Sequence, residues 1–203
     1  MSYLSYLLLV LDLDGTLIER YPSGSPDFTP RPLADPERIR RLGVPVAICS
    51  NQGGIAWGLA GGRPGKVYPD WPAVLERVRF GMRLAGVRWA FLALHHPGAR
   101  LPEGAALLQA AERIRLPAPI ALAAARPRVA IVVPVEEGMV MASWNPKWRK
   151  PGPGMLRFAA EALRALEGLV GPWAYVGDEA DDEAAATQAG MAFFPAEQIR
   201  SAG

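Results

Sequence analysis

Apolar and polar positions fall into blocks along this chain, and two kinds of block take turns. Short apolar runs bounded by Gly, Pro, Ser or Asp predict strands at Tyr6–Leu11, Val46–Cys49, Trp89–Leu94, Arg128–Val133, Trp173–Val176 and Met191–Phe194. An unbroken run such as Tyr6–Leu11 suits a central parallel strand, which helices cover on both faces. Between these runs the apolar period lengthens toward 3.6. Pro72–Ala85 sets Leu75, Val78, Met82 and Ala85 on one face, and Pro153–Leu166 does the same with Leu156, Ala160, Leu163 and Leu166. Glu103–Arg115 is helical in composition, and Asp182–Ala189 reads as a short helix closed by Gly190. Asp35-Pro36-Glu37 is a helix start, with a side-chain acceptor at the N-cap, proline at the first helical position and an acid in the first turn. That helix should stop near Gly43, and the one before Trp89 at Gly86. Pro117–Arg128, rich in proline and alanine, reads as an irregular connection.

This alternation predicts the α/β class: a Rossmann-like parallel sheet with helices on both faces. A length of 203 residues suits one domain, 1–203, with a candidate insertion or minimal cap at 98–147.

Composition narrows the function classes. Half of the residues are hydrophobic, ample for a core, and the formal net charge is only +2. That is less than the basic field of a general nucleic-acid binder. The single cysteine, Cys49, excludes an intramolecular disulfide and a cysteine-built zinc site. No apolar run is long enough to span a bilayer, and the apolar start is interrupted by Asp12 and Asp14, unlike a signal peptide. The expectation is a cytoplasmic protein without a membrane partner. Lysine occurs only at 66, 147 and 150 and asparagine only at 51 and 145, which fits a GC-rich genome or a thermophile equally well.

The candidate chemistry clusters at strand ends and helix starts: Asp12-Leu13-Asp14-Gly15-Thr16, Ser50-Asn51, Arg149-Lys150, and Gly177-Asp178 with Asp181-Asp182. Open parallel sheets bind ligands at the carboxyl ends of their strands, so separate strands would bring these clusters to one crevice. Asp12 and Asp14 lie on the same side of an extended chain, where their repulsion calls for a bound cation. Gly15 permits a tight turn and an approach of backbone N–H groups to an anion. The plainer reading is an aspartate pair capping a strand-to-helix turn.

Taken together, these stretches resemble the haloacid dehalogenase-like hydrolases over roughly 6–97 and 148–194. Asp12-Leu13-Asp14-Gly15-Thr16-Leu17 is similar to the family's nucleophile motif, Ser50 to its phosphate-binding Ser or Thr, Lys150 to its lysine, and Gly177-Asp178 with Asp182 to its acidic metal motif. Ser50-Asn51-Gln52-Gly53-Gly54-Ile55, His95-His96-Pro97, Asp27-Phe28 and Arg149-Lys150-Pro151-Gly152-Pro153-Gly154-Met155 resemble the branch of histidinol-phosphate, heptose-bisphosphate and polynucleotide 3′-phosphatases. The zinc-loop cysteines of its sugar and histidinol members are missing here.

The resemblance implies Asp12 as covalent nucleophile and Asp14 as general acid and base. It implies Mg²⁺ held by Asp12, the backbone carbonyl of Asp14 and Asp178, with Asp182 in the outer shell. Ser50, Asn51, Arg149 and Lys150, with backbone N–H groups around Asp14–Gly15, would bind the phosphate or substrate. Asp181 is expected to be a helix N-cap or a solvated acid, and His95 and His96 to contact substrate or serve the structure. Trp144-Asn145-Pro146-Lys147-Trp148-Arg149 either stacks on a base or packs onto the core. The implied activity is a phosphatase on a small phosphorylated metabolite. A polynucleotide 3′-phosphatase on nucleic-acid ends and a silent phosphate-binding protein are the other readings.

Overall fold

The computed structural model describes residues 7–21 and 24–200, so Tyr6 of the first expected strand lies outside the described residues. Seven strands form one sheet: β1 (Leu8–Leu11), β2 (Val44–Asn51), β3 (Trp89–Ala93), β4 (Ala130–Val135), β5 (Gly138–Ser143), β6 (Trp173–Gly177) and β7 (Ala192–Pro195). Their order across the sheet is β4-β5-β3-β2-β1-β6-β7, and every pair is parallel except the β4–β5 edge hairpin. The helices are α1 (Pro36–Leu42), α2 (Gly54–Leu59), α3 (Trp71–Ala85), α4 (Gly104–Arg113), α5 (Ala118–Leu122), α6 (Gly154–Glu167) and α7 (Ala180–Ala189). This is the expected α/β architecture.

Strand alternation sends one set of side chains to each face of the sheet. Leu9, Leu11, Ile48, Ala90, Leu92, Val140, Ala142, Ala174 and Val176 enter a core shared with α1 to α5. Leu8, Val10, Cys49, Phe91, Ala93, Met141 and Tyr175 enter a second core, roofed by α6 and α7. Each fully buried aliphatic side chain contributes roughly 1.5–3 kcal/mol relative to exposure. Central strands buried on both sides therefore read as unbroken apolar runs.

Local chemistry sets the helix ends. Asp35 accepts from the Glu37 backbone N–H at 2.8 Å, and Asp70 from that of Ala73 at 3.0 Å. Proline follows each cap, where its missing N–H costs nothing. Gly86 closes α3 and Gly190 closes α7 as the sequence reading expected.

Several expectations need correction. The strand expected at Val46–Cys49 runs on through Ser50 and Asn51 as β2, and an unexpected helix, α2, begins at Gly54. At six residues, α2 is too short for periodicity to reveal. Pro117–Arg128 holds α5 and a 3-10 turn at Ala123–Ala125. β5 went unforeseen, although it pairs with β3 inside the sheet; Gly138 and Ser143 dilute its apolar signal. The stripe of α6 is also displaced. Met155, Leu156, Ala159 and Leu163 are buried, whereas Leu166 is 57 % exposed.

That displacement gives a stability test. Leu156→Ala should cost about 2–5 kcal/mol, as for a buried leucine. Leu166→Ala should stay within about 0.5 kcal/mol. Urea unfolding measures both, and equal losses would mean that α6 presents a different face to the sheet.

Candidate active site

β2 and β3 lie on one side of β1, while β6 and β7 lie on the other. A crevice opens at the carboxyl end of β1, where the order reverses. Asp12 directly follows β1, and its backbone N–H donates to the Val176 carbonyl of β6 at 2.9 Å. Ser50 and Asn51 end β2, Lys150 precedes α6, and Asp178 follows β6. All of them except Asp178 line a cavity of about 300 Å³, together with Asp14, Arg20, Tyr21, Arg149, Glu179 and Asp181.

Lys150 ties these elements together. Its buried ammonium donates to Asp12 Oδ1 at 2.7 Å, to Tyr175 Oη at 2.7 Å and to Asp182 Oδ1 at 2.5 Å. Burial lowers its pKa, but Asp12 and Asp182 outweigh that and leave it raised. Burial drives Asp12 the other way: its carboxyl is raised against the pull of Lys150, because one ammonium serves two sequestered carboxylates. Tyr175 passes the network on, donating to the Cys49 carbonyl at 2.9 Å.

Asp12 and Asp14 each meet a cation, Lys150 and Arg77, yet Asp14 still helps to raise the Asp12 carboxyl. Arg77, almost fully buried on α3, reaches Asp14 Oδ1 at 2.6 Å and also donates to the backbone carbonyls of Glu19 and Phe28. Gln52 Nε2 holds Asp14 Oδ2 at 2.8 Å and reaches Ser50 Oγ at 3.0 Å. The sequence reading assigned neither side chain. Arg77 left one signal: it interrupts the apolar stripe of α3 between Val74, Val78 and Gly81. A charged residue on such a stripe needs a buried partner.

The acidic motif is shaped by glycine. A Cβ on Gly15, at φ +87°, would lie 2.2 Å from Asp178 Oδ2, and one on Gly177 would lie 2.5 Å from Asp182. Asp12, Asp178 and Asp182 thereby offer carboxylate oxygens within 4.8 Å of one another. Asp182 Oδ2 is engaged by the backbone N–H groups of Asp178 and Glu179, so it braces the loop. Asp178 meets the Arg20 guanidinium at 2.9 and 3.0 Å. The N-cap of α7 is Glu179, not Asp181, whose exposed side chain faces the cavity in the first turn.

Asn51 spends its side chain on the lysine loop: Oδ1 accepts from Lys150 N at 3.1 Å and Nδ2 donates to Lys150 O at 3.3 Å. The Gly15 N–H donates to Ile18 O at 2.7 Å, so it is not turned to an anion as expected. Among the described residues, the one hydrogen bond of the Arg149 side chain goes to the His95 carbonyl, at 3.5 Å. His96 accepts from Gly98 N at 3.1 Å, and neither histidine joins the acidic cluster. Trp144 and Trp148 are buried. The first donates to Ile120 O at 2.7 Å and the second packs on Phe158, so neither ring is presented for stacking on a base. Among the described residues, no helix is long and apolar enough to cross a membrane.

Neither a protein-family model nor a curated protein sequence matches the chain. Two solved structures are similar to it. One, from Mesorhizobium loti, is assigned as a HAD-like phosphatase; it is 22 % identical, with 92 % of this chain and 69 % of that one covered at a TM-score of 0.42. The other is D,D-heptose 1,7-bisphosphate phosphatase from B. bronchiseptica, complexed with magnesium and phosphate; it is 21 % identical, with 92 % and 78 % covered at a TM-score of 0.48. At that identity and overlap, the functional reading of this chain rests on its own side chains.

Proposed function

We propose that this chain is a Mg²⁺-dependent phosphatase that hydrolyses phosphate monoesters of small metabolites through a phosphoryl-Asp12 intermediate. The observation that carries the reading is the Lys150 ammonium holding the Asp12 carboxylate at the mouth of a polar cavity, with Asp178 brought against the same point.

In the first step an Asp12 carboxylate oxygen attacks phosphorus. The bond to the ester oxygen breaks, and Asp14 gives that oxygen its proton. In the second step Asp14 takes a proton from water, whose oxygen attacks phosphorus and breaks the bond to Asp12. Inorganic phosphate leaves and Asp12 is restored. Lys150 neutralises charge as it gathers on the phosphoryl oxygens, and Ser50 Oγ and Arg149 supply further donors along the cavity. Asn51 acts by fixing the Lys150 backbone.

The donor set fits a hard divalent cation, because it consists of carboxylate oxygens with neither sulfur nor imidazole among them. Asp12, Asp178 and the Asp14 carbonyl would hold it, with Asp182 bracing the loop from behind. Bound there, Mg²⁺ offsets the repulsion between an anionic nucleophile and an anionic ester.

Arg77 and Gln52 are positioning residues in this scheme. Two buried partners fix both oxygens of Asp14, so its orbit toward the leaving oxygen is narrow. The polynucleotide reading loses one of its supports, since both tryptophans invoked for stacking are in the core.

Two outcomes follow. Asp12→Asn, with a melting curve close to the parent's, should abolish Mg²⁺-dependent release of p-nitrophenol from its phosphate. Residual turnover within about tenfold of the parent would remove Asp12 from the chemistry. Arg77→Met should lower kcat/KM for alkyl phosphates by roughly ten- to a hundredfold, as expected when a general acid is mispositioned. p-Nitrophenyl phosphate, whose leaving group needs no proton, should lose far less in kcat/KM, which excludes the later hydrolysis of phosphoryl-Asp12 that Asp14 also serves. A steepened dependence on leaving-group basicity supports the assignment, and equal losses for both ester classes would reduce Arg77 to a structural part.

A further inference from the structure

A second concavity of about 380 Å³ adjoins the first. Tyr21, Asn51 and Arg149 line both, so the two share a wall. Their charges are opposite in kind. The first carries Asp12, Asp14, Glu179 and Asp181 beside its cations. The second carries Arg63, Lys66 and Arg149, and among its described lining residues there is no carboxylate.

Arg63 is held in place. The Arg63 guanidinium lies 3.8 Å over the Trp57 ring, and Trp57 in turn packs against His96 and Tyr68. A cation over an indole is fixed without being neutralised. Arg149 is half-buried, and burial pulls its pKa down. Among the described residues, neither Arg63 nor Arg149 forms an ion pair. Most other arginines here do, including Arg20, Arg77, Arg79, Arg83 and Arg115. For the half-buried Arg149, Asp181 and Glu179 offset only part of the cost of burial, so an incoming anion recovers more of it.

We infer that this concavity is a second anion subsite, which binds a negative group carried by the leaving-group arm of a small substrate. The inference rests on the phosphatase reading for its placement: with the ester phosphorus at Asp12, the arm extends past Asn51 and Arg149 toward Arg63 and Lys66. The substrate would be a doubly anionic ester, whose second group is either a phosphate or a carboxylate. An ester with an ammonium on the same arm would be repelled.

Matched pairs test this. Fructose 1,6-bisphosphate is compared with fructose 1-phosphate, and 3-phosphoglycerate with glycerol 3-phosphate. Binding to the full-length Asp12→Asn protein is measured by calorimetry in the presence of Mg²⁺, and kcat/KM is measured on the parent. The doubly anionic member of at least one pair should be favoured by about tenfold or more, the gain expected of one charge-assisted contact. Arg63→Gln with Lys66→Gln should collapse that ratio toward unity. The pair that shows the preference identifies the second anion.

A ratio near unity in both pairs, or one that survives the double substitution, overturns the subsite. So does a 3′-phosphorylated oligonucleotide that outcompetes every small ester, which would give the groove to a nucleic-acid end. If the parent hydrolyses none of the esters nor p-nitrophenyl phosphate, the phosphatase reading fails, while the calorimetric ratios still decide the subsite.

Discussion

The whole site depends on a single buried ammonium. Lys150 joins the end of β1 through Asp12, the body of β6 through Tyr175 and the first turn of α7 through Asp182. Two buried carboxylates share that one ammonium. Removing one partner from a buried pair commonly costs about 3–5 kcal/mol, because the other charge is stranded. The same three bonds therefore decide whether the strand ends stay together and whether the Asp12 carboxylate is held ready. Folding and chemistry share one contact.

This explains what the sequence made legible and what it did not. Lys150, before α6, and Asp182, in the first turn of α7, were marked by the family resemblance. Asp12, Ser50 and Asp178 were readable because a parallel sheet brings the ends of apolar strands together. For them, knowing the strand ends is nearly enough. Arg77 and Gln52 work differently. Arg77 reaches Asp14 from the middle of a helix on the sheet's flank, through a path that depends on α3 lying over the Asp14 loop. Only its intrusion into an apolar stripe hinted at that. Gln52 sits in a loop whose sequence permits many orientations, and its two bonds to Asp14 and Ser50 follow from the tertiary fold alone.

The elements divided along similar lines. α1 and α3 announce themselves through Asp35-Pro36 and Asp70 before Pro72, which are local capping signals. β5 has no such signal: Gly138, Ala142 and Ser143 give it little strand character, and it exists because β3 offers an edge and β4 supplies the return of a hairpin. The stripe of α6 was displaced because Leu156 and Leu163 fit two neighbouring registers of an alanine-rich helix. The sheet chose the one that buries Met155 and Ala159 and leaves Leu166 outside. Propensity set the helix, while packing against β2 and β3 set its rotation.

Charge is distributed in the same divided way. With a formal net charge of +2, the chain has no global field that would gather anions. On the proposed reading, selectivity comes from local separation: carboxylates collect in one concavity, and Arg63 and Arg149, which form no ion pair among the described residues, line the one beside it. Arg149 stands on the boundary: it lines both concavities, reaches the His95 carbonyl, and feels Asp181 and Glu179 from the acidic side. On the inferred reading, a ligand with negative charge on both sides of that wall gains most from it. On the proposed reading, the chemistry of the carboxylates and the choice of substrate are separated by one wall, built from Tyr21, Asn51 and Arg149.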